Sequence, residues 1–172
     1  MAILIDSDVF IQAERGQFDI DAWLSSNTSE EFKIAAITVA ELWHGVERAS
    51  GAHRARRERF VLALCSKFEI VAYTERTAYE HARIWALLEK SGRTPGEHDM
   101  ILAATALELG DGVATFNVRH FAAIRGLRVI EPQLTRFRQV DRYTLTSRGA
   151  VRMGNGGARV ELQNWPFPVV DF

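Results

Sequence analysis

Short apolar runs alternate with longer segments of helical periodicity along the first three quarters of the chain. The short runs have the length of strands, and the longer segments repeat apolar residues every three or four positions, as helices packed on one face do. Strands that alternate with helices predict an α/β fold with a mostly parallel central sheet flanked by helices. The predicted strands are Ala2–Ile5, Lys33–Ile37, Phe68–Ala72, Gly112–Thr115 and Leu127–Ile130.

The predicted helices differ in how clearly their ends are marked. Val39, Leu42, Trp43 and Val46 form one apolar stripe, and Thr38 directly before it is the predicted N-cap. Further helices are predicted over residues 53–66, from Thr74 as N-cap to Lys90, and along Met100, Ala103, Ala104 and Leu107.

The pattern changes after Pro132, where the sequence becomes polar and irregular and contains the loop signal GNGG at 154–157. Because 172 residues suit a single domain, we predict one α/β domain over residues 1–133. Residues 134–172 form a predicted C-terminal extension whose order the pattern does not define.

Composition narrows the class of protein. Hydrophobic residues make up 47% of the chain, which is ample for one core, yet no apolar run reaches the length of a membrane span. Cys65 is the only cysteine and no secretory signal precedes the first strand, so we expect a cytoplasmic protein without disulfides. The net charge of −1 gives no overall attraction to nucleic acid, so any chemistry on nucleic acid would need local cations or bound metal.

Polar side chains follow several of the predicted strands. Asp6 follows the first strand, Glu41 lies within one helical turn of the second, and Thr115 and Asn117 follow the fourth. Asp99 begins the helix that precedes that fourth strand. Since the carboxyl ends of parallel strands meet at one edge of a sheet, we expect these side chains to converge there.

Each acid also has a simpler local interpretation. Asp6 could cap the helix after the first strand, and Asp8 is expected to begin or cap that helix or to face solvent. Glu41 stands three residues after Thr38, which is the spacing of a capping box. Asp99 in a first helical turn would favour the helix dipole.

Convergence of the three acids has a stronger chemical consequence than these local roles. Two carboxylates ~4 Å apart repel by about 4 kcal/mol at an effective dielectric constant of 20. Such a cluster persists only if it is protonated or binds cations, and oxygen ligands favour Mg²⁺ or Mn²⁺ over zinc. Two such ions ~3.5–4 Å apart would activate water and stabilise the leaving oxygen in phosphodiester hydrolysis.

Four segments of the chain occur in the order and spacing of a known family. They are IDSDVFI at 5–11, ITVAELWHGVERA at 37–49, HDMILAATALELG at 98–110 and VATFNVRHF at 113–121, closed by LRVIEP at 127–132. Over residues 1–132 the chain resembles the PIN-domain ribonuclease toxins of the VapC type. The resemblance implies a three-layer PIN fold and a Mg²⁺- or Mn²⁺-dependent endoribonuclease that is the toxin of a toxin–antitoxin pair. It also implies an RNA substrate, a cognate antitoxin protein and a homodimer.

The resemblance also implies roles for individual residues. Asp6, Glu41 and Asp99 match the family's three acids, of which Asp6 and Asp99 would hold the principal metal. Glu41 would bind that metal through water or help to form a second metal site. The catalytic set is therefore Asp6, Glu41, Asp99 and Asn117, and Ser7 and Thr115 match positions that assist substrate binding or support the metal ligands.

One position departs from the family pattern. The family usually reads Asn-x-x-Asp-Phe after the fourth strand, whereas this chain reads NVRHF at 117–121, so His120 stands where a fourth acid is expected. Histidine binds metals and donates to phosphate, but it suits Mg²⁺ less well than a carboxylate does. His120 is therefore expected to assist substrate binding or to support the ligands, and the alternative is a tolerated surface residue.

Two other functions fit parts of the sequence. The first is a PIN scaffold that His120 has weakened as a catalyst and that acts as a binding protein. The second is a haloacid-dehalogenase-type phosphatase, in which Asp6 and Asp8 would be nucleophile and acid. That class needs a later lysine and a paired acidic motif, and the chain has few lysines and no Asp-Asp pair.

A basic cluster on one predicted helix also allows two interpretations. Arg54, Arg56, Arg57 and Arg59 either form a solvated helix face or contact RNA phosphate or an acidic antitoxin segment.

Overall fold

A computed structural model describes residues 1–92 and 96–133 of the chain. In that part of the chain, five strands form one sheet in the order β3-β2-β1-β4-β5, and every neighbouring pair is parallel. The mostly parallel central sheet that the sequence predicts is therefore confirmed. The strands are β1 (Ala2–Ile5), β2 (Glu31–Ala35), β3 (Glu69–Val71), β4 (Gly112–Ala114) and β5 (Arg128–Ile130).

Helices cover both faces of this sheet. Ile3 and Ile5 of β1 belong to one hydrophobic core cluster with residues of the first four helices, and Leu4 belongs to a second cluster with residues of the last three. The alternation follows from the period of two in a strand, and it confirms the three-layer architecture. The described helices are α1 (Ser7–Glu14), α2 (Ile20–Ser26), α3 (Ala36–Glu47), α4 (Gly51–Lys67), α5 (Glu75–Lys90), α6 (Glu97–Leu109) and α7 (Val118–Phe121).

The central strand β1 positions the residues that follow it. All four of its residues are buried, as expected for a parallel strand with helices on both sides. The backbone N–H of Asp6 donates to the carbonyl of Ala114 at 2.9 Å, and the N–H of Ala2 donates to Asp111 Oδ1 at 2.6 Å. The ends of β1 and β4 are therefore aligned, so residues that follow the two strands lie next to each other.

The junction of β2 and α3 lies two residues earlier than predicted. The strand ends at Ala35, α3 begins at Ala36, and Ala35 is the N-cap, so the prediction of Thr38 as N-cap is wrong. The apolar run continues from the strand into a buried first turn, where periodicity does not separate the two elements. Thr38 is fully buried and donates its hydroxyl to the carbonyl of Ile5 at 3.4 Å.

Other boundaries agree more closely with the sequence. Thr74 caps α5, and its hydroxyl accepts from the N–H of Thr77 in a reciprocal capping box. Helix α6 ends at Gly110, whose φ of +69° is the left-handed conformation that glycine adopts without steric cost. None of the described helices has both the length and the apolar character needed to cross a bilayer. The predicted extension at 134–172 lies outside the described residues.

Candidate active site

Asp6 caps a helix and also lies at the carboxyl edge of the sheet, as the sequence predicts. It directly follows β1 and is the N-cap of α1, and its Oδ1 accepts from the N–H of Ser7 at 2.6 Å. Asp6 and Ser7 are both buried, and Asp6 exposes 5% of its surface. Capping a helix and lying at the carboxyl edge of the sheet are therefore compatible, because α1 begins at that edge.

Thr115 links two carboxylates at this edge. Its Oγ1 lies 2.8 Å from Asp6 Oδ2 and 3.1 Å from Asp8 Oδ2. A hydroxyl carries one hydrogen, so Thr115 donates to only one of these two oxygens at a time. Asp6, Asp8, Thr115 and Asn117 are called the strand-end group below.

Asp8 is the site residue that the sequence analysis missed on this side. It lies in the first turn of α1 as expected, but the alternative that it faces solvent is wrong. Its Oδ2 also accepts from the N–H groups of Phe116 and Asn117, at 3.0 and 3.1 Å. Asp8 Oδ1 is buried and has no hydrogen-bond partner among the described residues. The signal that could have found it is its spacing, two residues after Asp6 at the same strand end.

The environment of the pair favours a bound proton or cation. Burial, then the charge of Asp8 and to a smaller extent that of Glu41, together raise the pKa of Asp6 to about 7, against hydrogen bonds from Thr115 and Ser7 that lower it. Burial also raises the pKa of Asp8, against hydrogen bonds from the Thr115 hydroxyl and from the backbone N–H groups of Phe116, Asn117 and Val9. Two neighbouring carboxylates in a buried environment repel each other unless one of them is protonated or a cation binds between them.

The remaining predicted acids pair with histidines. Glu41 Oε1 lies 2.9 Å from His98 Nδ1, and Asp99 Oδ2 lies 2.8 Å from His120 Nδ1. The capping-box interpretation of Glu41 is wrong, because its partner is a side chain 57 residues away and the N-cap of α3 is Ala35. These four residues are called the helix-side group, since they lie on α3, α6 and α7.

Three residues of the helix-side group, Glu41, His98 and Asp99, line a cleft of about 350 Å³ together with Gly96 and Glu97. The two acids are partly buried and the two histidines are half-exposed. His98 is the second site residue that the sequence analysis missed, although it is adjacent to Asp99. His120 is a surface residue as the alternative held, but it contacts a predicted metal ligand.

Asn117 joins the two groups through the backbone. It is the exposed N-cap of α7, the helix that carries His120, and its N–H lies 3.0 Å from Thr115 Oγ1 as well as near Asp8. The loop after β4 therefore fixes Thr115 and the start of α7 at once.

The residues present fit Mg²⁺ or Mn²⁺ by the chemistry of their donor set. The acids offer carboxylate oxygens, and the unpartnered Asp8 Oδ1 is a buried acceptor. In residues 1–92 and 96–133, no three His, Cys, Asp or Glu side chains form a group that could hold an ion as they stand. Glu41 and Asp99 would first have to turn away from their histidines, and both lie at the cleft where side chains have room to rotate.

Comparison with known proteins identifies the family. The model of the PIN domain matches residues 3–127, most of the chain. Ribonuclease VapC1 of Rickettsia felis is 34% identical over 131 residues, which cover 76% of this chain and 96% of the relative. The chain belongs to the PIN-domain family.

Within the PIN-domain family, the chain groups with the ribonuclease toxins of the VapC type. The tRNA(fMet)-specific endonuclease VapC of Salmonella typhimurium is 33% identical over 96 residues, 56% of this chain and 71% of the relative. Among solved structures, the DNA-bound VapBC of Salmonella typhimurium superposes with a TM-score of 0.69 at 27% identity, over 76% of this chain and 97% of that one. The family and the fold that the sequence resemblance implied are both confirmed.

Proposed function

We propose that this chain is a Mg²⁺- or Mn²⁺-dependent endoribonuclease that hydrolyses RNA phosphodiester bonds as the toxin of a toxin–antitoxin pair. The observation that carries the proposal is the meeting of Asp6 and Asp8 on the single hydroxyl of Thr115 at the carboxyl edge of the sheet. The charge of Glu41 also reaches Asp6, and Asp99 borders the same cleft as Glu41. A PIN-domain chain with carboxylates gathered in this way supports metal-assisted hydrolysis.

The residues take separate roles in this proposal. Asp6 and Asp99 would hold the principal metal, and Glu41 would act through water or at a second metal site. A bound Mg²⁺ or Mn²⁺ would supply water activation and would stabilise charge on the leaving oxygen. Asn117 and Thr115 would keep the loop after β4 in register with Asp6.

The histidines of the helix-side group would contact substrate. His98 and His120 each direct Nδ1 toward an acid, and with both ring nitrogens protonated each half-exposed ring would donate from its other nitrogen to a phosphate oxygen. Ser7 would not contact substrate but would orient Asp6, because its backbone N–H donates to Asp6 Oδ1.

Two of the four arginines of the basic cluster on α4 have partners within the protein, and the other two are exposed. Arg54 is paired with Glu47, and Arg57 is paired with Glu14 and donates to the carbonyl of Gly45. Arg56 and Arg59 are exposed. These two are the residues of the cluster that we propose for RNA phosphate, because the other two are held by internal partners.

RNA cleavage tests the proposal directly. Purified protein would be incubated with tRNA and other structured RNA in Mg²⁺, in Mn²⁺ and in EDTA, with Asp99→Asn beside it. tRNA is the first choice because the Salmonella relative is named for it. We expect metal-dependent cleavage that falls at least about 100-fold in Asp99→Asn, as for the loss of a metal ligand.

A matched variant controls for the general effect of losing an acid. Asp19→Asn changes the N-cap of α2, where asparagine caps equally well, so cleavage should be unchanged. Absence of cleavage by the natural protein in either metal would contradict the proposal and favour the weakened scaffold. His120→Asp would then be the protein to make, because a gain of activity would locate the defect.

The partner assignment has its own test. The VapBC structures that this chain resembles are toxin–antitoxin complexes, so we propose a cognate antitoxin, a homodimer of the toxin and a cytoplasmic location. The product of the neighbouring gene would be co-expressed with this chain and the mass of the purified complex measured by light scattering. A complex with two copies of the toxin is expected, and a lack of any complex would contradict the toxin role.

A second function has one observation in its favour. His120 replaces an expected acid, and its Nδ1 lies 2.8 Å from Asp99 Oδ2. That contact would weaken a metal site if it persisted. The phosphatase alternative has no comparable support, since Asp8 is held by three donors of the loop after β4.

A further inference from the structure

The loop after β4 receives a carboxylate from another part of the chain. The family pattern places its fourth acid just after this strand, at position 120, and this chain has histidine there. Asp8 reaches the same loop from α1, and its Oδ2 accepts from Thr115 Oγ1 and from the N–H groups of Phe116 and Asn117. The loop after β4 therefore contacts a carboxylate, but that carboxylate belongs to Asp8 and not to the residue at position 120.

The second oxygen of Asp8 lacks a protein partner. Its Oδ1 is buried and forms no hydrogen bond among the described residues, because the nearby N–H of Val9 donates to the carbonyl of Asp6 at 3.3 Å, while its Oδ2 lies near three donors. Buried carboxylate oxygens are nearly always satisfied, and an unsatisfied one calls for an explanation such as an ion. Asp8 and Asp6 share the single hydroxyl hydrogen of Thr115, so two neighbouring carboxylates have one donor too few, which a bound cation would make good.

We propose that Asp8 supplies the fourth carboxylate of the metal site, in place of the acid that the family pattern carries at position 120. The inference rests on the metal-dependent function proposed above. It assigns His120 a different task, contact with substrate once Asp99 has turned toward the metal, and it predicts that the substitution at position 120 does not weaken metal binding.

A purely structural role for Asp8 is the competing explanation. In that case Asp8 would only hold the loop after β4, and asparagine, which keeps a carbonyl acceptor for the loop N–H groups, would largely replace it. Asp8→Asn therefore removes the charge while keeping an acceptor. Binding of metal, measured apart from activity, separates the two explanations.

Mn²⁺ binding to the purified full chain is the measurement. Free Mn²⁺ would be followed by its electron paramagnetic resonance signal during titration of four proteins: natural, Asp8→Asn, Asp8→Asn with His120→Asp, and Asp19→Asn as a remote control. We expect Asp8→Asn to bind Mn²⁺ at least about tenfold more weakly, and Asp19→Asn to bind normally. The double variant should return to within about threefold of the natural protein, because His120→Asp restores the missing carboxylate.

Each other outcome has a defined meaning. Natural affinity in Asp8→Asn would overturn the inference, and so would a loss in Asp8→Asn that His120→Asp does not restore. Failure of the natural protein to bind Mn²⁺ at all would contradict the proposed function instead. Should Asp8→Asn not fold, the single variant His120→Asp decides, because a gain of tenfold or more in Mn²⁺ affinity would show that the fourth carboxylate was missing.

Discussion

The strand-end group and the helix-side group hold their acids in different ways. Asp6 is buried, and both it and Asp8 are fixed by backbone N–H groups and one shared hydroxyl. Glu41 and Asp99 border a cleft, and each contacts one half-exposed histidine. The first group has little freedom to rearrange, while the second needs only side-chain rotation.

This contrast suggests a division of labour in a metal site. Backbone contacts that follow from the sheet register hold the strand-end carboxylates close together despite their repulsion, so these ligands of the proposed metal ion would be preorganised. The helix-side acids would complete the ligand set when cation and substrate enter. Four variants or conditions test the contrast, and the largest effect is expected at the strand ends.

Asp6→Asn should produce the largest loss of activity. Asparagine retains the helix cap but removes the charge that would hold the principal metal. Cleavage of RNA should fall on the order of 1000-fold, measured as kcat/KM at saturating Mg²⁺. A loss below about tenfold would show that the strand-end carboxylate is not central to the reaction.

The pH dependence of stability should report mainly Asp6, with a contribution of the same sign from Asp8, whose pKa is also raised. With a folded-state pKa of about 7 against 3.8 for the free side chain, the folded protein keeps a proton that the unfolded chain loses between these values. The free energy of unfolding should therefore fall as pH rises through this window, by on the order of 4 kcal/mol, while it is unaffected by this group below pH 3.8. Urea unfolding in EDTA at several pH values measures it.

Asp6→Asn and Asp99→Asn provide the matched pair for that experiment. The first variant should flatten the decline, and the second should retain it because Asp99 belongs to the helix-side group. Saturating Mg²⁺ should also reduce the decline in the natural protein, since a bound cation compensates the buried charge. An equal slope in the natural protein and Asp6→Asn would contradict this assignment.

Thr115→Val should have an intermediate effect. It removes the hydroxyl between Asp6 and Asp8 and leaves buried acceptors without a donor, so the free energy of unfolding should fall by about 1–3 kcal/mol at pH 7 in EDTA. Thr105→Val is the control, because Thr105 is equally buried but its hydroxyl donates only to the carbonyl of Ile101 in its own helix. Equal losses in urea unfolding would mean that the shared hydroxyl has no special role.

His98→Ala should have the smallest effect. It releases Glu41 from a half-exposed contact and removes a contact with a phosphate that is not the reacting one, and exposed contacts of this kind contribute little, so kcat/KM should stay within about threefold of the natural value. A matched change, His120→Ala, tests whether the two histidines are equivalent. A loss of tenfold or more in either variant would place that ring in direct contact with the reacting phosphate.

Much of the fold could be predicted because burial and periodicity agree along the chain. The four buried residues of β1 and the capped start of α5 at Thr74 are local signals that the tertiary structure preserves. The end of β2 could not be predicted, because residues 34–37 are all apolar although the first two lie in β2 and the last two in α3. The prediction of Thr38 as N-cap was wrong because its hydroxyl donates to the carbonyl of Ile5 in β1, a contact that the local sequence does not reveal.

The site was predictable in outline and not in its contacts. The rule that parallel strands end at one edge is enough to bring Asp6 and Thr115 together. The contacts of Asp8 with Thr115 and of His98 with Glu41 span 107 and 57 residues, and no local pattern encodes such pairs. Simpler local interpretations also fitted these residues, since Asp8 matched the start of a helix and Glu41 matched a capping box.

The pairing of the first strand with the fourth has a consequence for synthesis of the protein. Asp6 and Thr115 are 109 residues apart in the chain but share a hydrogen bond. At 5–20 residues per second, roughly 5–20 s of translation separate the two residues. A ribosome-bound chain therefore carries its first acid long before the strand that completes its surroundings, and a truncated product that stops before β4 lacks the Thr115 hydroxyl and the loop contacts altogether.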